Sequence, residues 1–155
     1  VYGFGSSGLV ATEFKNRFMR FGLDVEAIVD YHTMLMNSVR VNENCLVIGI
    51  SLSGATKEVI DALEQAAMKN AKTVLLTSRN DKEFQRMFDE VVLSAVKKNL
   101  EYGDMISPQF PLLILIDRIY ADYVQREDER KKTLYDKTVK QIVGRYIEFD
   151  EKERG

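Results

Sequence analysis

Apolar residues come in short runs separated by amphipathic stretches, and the alternation predicts a β-α-β-α chain. Residues 1–4 read as the stub of a strand that feeds a glycine-rich turn. Over residues 7–21, Val10, Phe14, Phe18 and Phe21 recur at helical spacing, and Gly22 supplies a stop. A second strand is expected over 25–29 and a short helix over 31–39. The run CLVIGI at 45–50 is continuously apolar, as in a central strand covered on both faces. A helix follows over 57–69, with Val59, Ile60, Leu63 and Ala67 expected inward and Asn70 as its stop. Further strands are expected over 73–77 and 90–96, with a short helix over 82–88 between them.

This rhythm implies an α/β fold, a three-layer α-β-α sandwich around a five-stranded parallel sheet of order 2-1-3-4-5. Residues 97–106 are polar and read as a loop, and Ser107 and Pro108 then suit a helix start. The helix over 111–124 is apolar on more than one side, which fits deep burial or a shared subunit surface. After a charge run at 125–132, a closing helix carries Tyr135, Val139, Ile142, Val143 and Tyr146 on one stripe.

Composition narrows the function classes. A chain of 155 residues fits one domain, expected over 1–147 with a polar tail over 148–155. A net charge of −2 argues against this segment gripping nucleic acid by itself. The single cysteine, Cys45, excludes an internal disulfide and any multi-cysteine metal site. No apolar run reaches the ~18 residues of a membrane span, so a cytoplasmic protein without membrane contact is expected. No metal and no cofactor is called for. Val1 and Tyr2 run straight into the glycine turn, which suggests a fragment whose upstream part is missing.

Two turns carry the candidate chemistry. The first, VYGFGSSG, spells G-x-G-x-x-G with Gly3, Gly5 and Gly8, and Asp30 lies downstream as a ribose partner would. The second, SLSGAT at 51–56, follows the buried strand and opens a helix. A helix start leaves amide donors unpaired and presents the positive end of the dipole, so an anion finds donors aimed at it. Ser51, Ser53 and Thr56 add hydroxyls, and Gly54 permits a tight turn. The P-loop pattern is absent, and no lysine stands where it needs one. The hydroxyls of 51–56 alone fit helix capping equally well. Ser6 and Ser7 in the first turn favour a second reading, in which both openings face one small phosphate monoester at the switch point of the sheet. A dinucleotide fingerprint would leave SLSGAT unexplained.

The pair GFGSSGLVA and ISLSGATKEVIDAL resembles the sugar isomerase (SIS) domain, a phosphosugar-binding α/β fold. FGLDVEAIVDYH, NENCLVIGIS and the helix holding LILIDRIYADYV resemble in particular the effector domain of RpiR-type transcriptional regulators. That resemblance implies a helix-turn-helix domain upstream, through which alone DNA would be bound. It implies that Ser51, Ser53 and Thr56 hold the phosphate, with the Leu52 and Gly54 backbone amides nearby. Ser6 and Ser7 would reach the sugar or the phosphate edge, beside Gly5. An aldose–ketose isomerase of the same fold needs a positioned base. His32 is the only histidine, and by family position Glu101 is the other candidate, but neither stands in a context that demands catalysis. The residues bind and none clearly reacts. The expected function is therefore sensing of a sugar phosphate by a homodimer or tetramer, with an isomerase and a purely structural dimerisation module as the alternatives.

Overall fold

The computed structural model describes residues 1–95, 107–126 and 129–153. The elements run β1 (Tyr2–Gly3), α1 (Ser6–Phe18), α2 (Tyr31–Arg40), β2 (Leu46–Ile50), α3 (Lys57–Met68), β3 (Lys72–Thr77), α4 (Phe84–Met87), β4 (Glu90–Leu93), α5 (Gln109–Gln125) and α6 (Glu129–Glu153). A 3-10 turn, Met19–Phe21, extends α1 as far as Gly22, which takes φ 77° as its expected stop. Asn70 closes α3 in the same left-handed region, at φ 59°.

The sheet is parallel, with order β1-β2-β3-β4. Among the described residues it has four strands and not the expected five. The stretch 25–29 contributes only a bridge, Tyr2 to Ile28, on the far side of β1. The reason lies in β1, which is two residues long and so offers no room for a longer partner. Two hydrogen bonds hold that bridge, from the Ile28 amide to the Val1 carbonyl and from the Gly3 amide to the Ile28 carbonyl.

Strand alternation feeds two separate cores. Val47 and Leu75 point to one face, where Met34 of α2 and Val59, Ala62, Leu63 and Ala66 of α3 cover them. Ile48, Ile50 and Leu76 point to the other, against Val10, Ala11, Phe14 and Phe18 of α1 and Leu112 and Ile116 of α5. The buried stripe of α3 thus runs through Ala62 and Ala66, whereas Ile60 and Ala67 are only half-buried. Small residues at the contact let α3 lie close to the sheet. Tyr2, almost wholly buried, ties β1 to α2 through a 2.7 Å bond from its hydroxyl to the Asn37 side-chain carbonyl. At the amino edge of the sheet, Asp89 accepts bonds from Lys72 Nζ and from the Thr73 amide and hydroxyl. These partners, Lys72 first, pull its carboxyl down to about 2.

α5 shows both of its apolar sides. Leu112 and Ile116 are buried, while Phe110 and Ile114 are exposed on the opposite side. α6 packs on the 3-10 turn, where Tyr135 stacks on Phe21 with ring centroids 5.2 Å apart. Its Ile142 and Val143 remain exposed.

Candidate functional site at the carboxyl edge of the sheet

β1 and β2 are neighbours in parallel register, with Gly3 opposite Ile50. The chain leaves both strands at the same edge of the sheet. From β1 it enters α1 on one face, and from β2 it enters α3 on the other. A crevice between diverging helices opens at such a point. Both hydroxyl-bearing turns therefore start side by side.

The glycines of the first turn do different work. A Cβ on Gly3 would stand 2.5 Å from the Ser7 carbonyl oxygen, so α1 can sit on β1 only because Gly3 has no side chain. A Cβ on Gly8 would crowd the Gly3 carbonyl and Val29 at 3.1 Å. Close strand–helix packing thus accounts for two of the three fingerprint glycines without a dinucleotide. Gly5 is the N-cap of α1, with φ 56° and ψ −125°, a backbone state glycine takes without strain. No side chain caps this helix. Ser6 is exposed and Ser7 half-buried, and among the described residues neither hydroxyl has a partner.

The second turn is internally bonded. Ser51 is fully buried. Its Oγ lies 3.0 Å from Thr56 Oγ1 and accepts the Thr56 amide at 3.4 Å. Ser51 thus closes the turn, and its hydroxyl is already engaged. Ser53 is exposed, and its Oγ accepts the Ala55 amide at 3.2 Å, which leaves the hydroxyl proton free to donate. Gly54, at φ 63°, is wedged so that a Cβ would meet Phe84 at 2.9 Å and Arg79 at 3.1 Å. Leu52 packs against the α1–α5 core, which explains an apolar residue between two serines. Among the described residues, the amides of Leu52, Ser53, Lys57 and Glu58 have no acceptor, so four backbone donors stand at this opening.

The end of β3 supplies residues that sequence reading missed. The Leu52 carbonyl accepts three bonds there, from Thr77 Oγ1 at 3.2 Å, the Ser78 amide at 2.8 Å and Ser78 Oγ at 2.7 Å. Arg79 follows, its stem against Gly54 and its guanidinium 5.3 Å from the centre of the Phe84 ring. It pairs with Asp81 at 2.7 Å. The Glu83 amide and then Arg79 lower the Asp81 carboxyl below its ordinary range. A signal was present: LLTSRN ends an apolar strand in four polar residues at the edge where SLSGAT begins.

His32 lies exposed in the first turn of α2, just beyond Asp30, which caps that helix through the Thr33 amide. That amide, with a smaller contribution from His32, lowers the Asp30 carboxyl. Asp30 is thus a capping residue in this structure. Glu101 lies outside the described residues. Among the described residues no group of three or more His, Cys, Asp or Glu side chains could hold a metal ion. No helix of the described residues is long and apolar enough to cross a membrane.

Comparisons with known proteins bear on the family and the fold. The chain is 33% identical over 124 residues to an HTH-type transcriptional regulator of Clostridium perfringens, covering 79% of this chain and 44% of that one. It is 25% identical over 138 residues to the HTH-type transcriptional regulator RpiR of Escherichia coli, covering 89% and 47%. The chain thus spans about half the length of the curated relatives it matches. In structure it matches the Vibrio vulnificus NanR protein complexed with ManNAc-6P, with TM-score 0.77 and 24% identity over 92% of this chain and 54% of that one. It also matches the sugar isomerase domain of an RpiR transcription factor from Sphaerobacter thermophilus, with TM-score 0.76 and 21% identity over 90% and 76%. The SIS domain family model matches residues 1–110, and the chain belongs to that family.

Proposed function

We propose that this chain is the sugar-phosphate-sensing effector domain of an HTH-type transcriptional regulator and not an isomerase. One observation carries the reading: two helix openings rich in free donors leave adjacent parallel strands at one edge. The anion is held by the amides of Leu52, Ser53, Lys57 and Glu58 with the Ser53 and Thr56 hydroxyls. Ser51 shapes the turn from beneath. Ser6 and Ser7, with the backbone at Gly5, face the sugar. Each bond to a charged phosphate contributes about 1.5–3 kcal/mol before desolvation and binding entropy are offset.

Its relatives are HTH-type transcriptional regulators and the structurally similar NanR protein is complexed with ManNAc-6P, which supports a sensor. His32 is exposed in the first turn of α2, where it caps no turn of the site, and Glu101 lies outside the described residues. The unit acts over residues 1–147, in the cytoplasm. It pairs into a dimer or tetramer through the exposed apolar sides of α5 and α6 and passes the signal to a DNA-binding domain. Ligand must favour one subunit arrangement over the other by about 1–3 kcal/mol to act in this way.

A thermal-shift panel of hexose 6-phosphates, pentose 5-phosphates, N-acetylmannosamine 6-phosphate and N-acetylmuramic acid 6-phosphate tests the reading. At least one is expected to raise the melting temperature, with no ketose–aldose conversion seen by NMR. A flat panel overturns the sensor, and turnover by the chain replaces it with the isomerase.

A further inference from the structure

The second opening is built entirely from neutral donors, yet a cation stands beside it. Arg79 leaves the end of β3 immediately after Ser78, whose amide and hydroxyl hold the Leu52 carbonyl. Its own amide is fixed by Thr77 Oγ1 at 3.2 Å. Its aliphatic stem lies against Gly54, in the middle of the turn. The base of the side chain is therefore fixed, while its end is not committed. About half of the side chain is exposed, and its guanidinium rests over Phe84 and against Asp81. Asp81 has a second partner, the Glu83 amide at 2.9 Å, so it keeps a hydrogen bond if Arg79 leaves.

We propose that Arg79 is an anion-recognising residue of this site, held in reserve by Asp81 and released to the phosphate of a bound sugar phosphate. This rests on the sugar-phosphate reading above. The physics is an exchange of partners. An arginine that gives up one half-buried carboxylate for a dianion keeps its fork of donors filled and meets a larger opposite charge. Arg79 is exposed and its partner Asp81 half-buried, and a pair open to solvent on one side holds weakly, so the exchange costs little. Phe84 guides the guanidinium through its ring face without fixing it. The carboxylate acts as a competitor: it keeps the arginine close to the turn and screens the empty site against small monovalent anions.

The test titrates the chain with inorganic phosphate and with N-acetylmannosamine 6-phosphate at two salt concentrations, following amide shifts by NMR. Arg79→Gln is expected to weaken both about tenfold and to flatten the salt dependence, with Arg79→Lys recovering part of the loss. Asp81→Asn keeps the bond to the Glu83 amide and is expected to tighten both about threefold, a gain that misfolding cannot mimic. If the parent chain binds and Arg79→Gln binds equally well with the same salt dependence, the role of Arg79 is overturned while the phosphate site stands. If Asp81→Asn leaves affinity unchanged or lowers it, the reserve role of Asp81 is overturned. If the parent chain binds neither probe, the sugar-phosphate reading falls and Arg79 falls with it.

Discussion

The two openings start from paired residues of neighbouring strands, yet they are built in opposite ways. At 51–56 the hydroxyls are largely spent on the turn itself: Ser51 on Thr56, Ser53 on the Ala55 amide, with the Leu52 carbonyl held three times by the end of β3. At 5–7 no side chain caps the helix, and among the described residues the Ser6 and Ser7 hydroxyls have no partner. One opening is a fixed cradle of backbone amides, shaped before a ligand arrives. The other is an adjustable edge. A rigid donor set suits the part of the ligand that never varies, the phosphate, because no ordering cost is met on binding. Free hydroxyls suit the variable part, the sugar.

The glycines give the largest way to break this contrast. Gly3→Ala puts a methyl group 2.5 Å from a backbone oxygen that cannot swing aside. We expect it to cost about 1–3 kcal/mol of stability by overpacking. Gly54→Ala meets the buried Phe84 ring at 2.9 Å and the base of Arg79 at 3.1 Å, and at φ 63° it also carries backbone strain of about 1–3 kcal/mol. Urea melts of the two variants should show both destabilised. Sugar-phosphate binding, measured where each is folded, should be lost in Gly54→Ala and retained in Gly3→Ala, since only Gly54 belongs to the cradle.

Much of this was legible in the chain. CLVIGI announces a strand buried on both faces, and β2 feeds both cores through Val47 and Ile48. Gly22 and Asn70 end their helices where left-handed residues belong. Three features were hidden for physical reasons. The stretch 25–29 has the apolar pattern of a strand, but strand length is settled by the partner, and β1 offers two residues. Ser51, Ser53 and Thr56 look equivalent in sequence. Burial separates them, because Ser51 is enclosed and turned toward Thr56 while Ser53 faces out. Arg79 went unnoticed because its closeness to Gly54 is a contact between residues on neighbouring strand ends, which no local periodicity encodes.

Ser51→Ala sharpens the comparison with a smaller effect. It removes the buried hydroxyl that bonds Thr56 and accepts its amide. Thr56 is half-exposed and can turn to water, so the expected loss of stability is about 1 kcal/mol. Binding should fall with it, because the Thr56 hydroxyl loses the partner that orients it. Chemical denaturation and calorimetric titration of the same preparation check both halves. A Ser51→Ala chain of unchanged stability would mean that the cradle is not held from beneath.

The smallest expected effect lies at the other opening. Ser6→Ala and Ser7→Ala remove hydroxyls that bond nothing in the protein, so stability should stay within about 0.5 kcal/mol of the parent. Alanine is also the stronger helix former, and Ser6 and Ser7 sit in the first turn of α1. What should change is discrimination. Inorganic phosphate, which needs only the cradle, should bind these variants as it binds the parent, whereas the preference among sugar phosphates should narrow. If both serines instead weaken inorganic phosphate as much as Ser53→Ala does, the division between fixed and adjustable openings fails. The two turns would then act as one ring of equivalent donors around the anion.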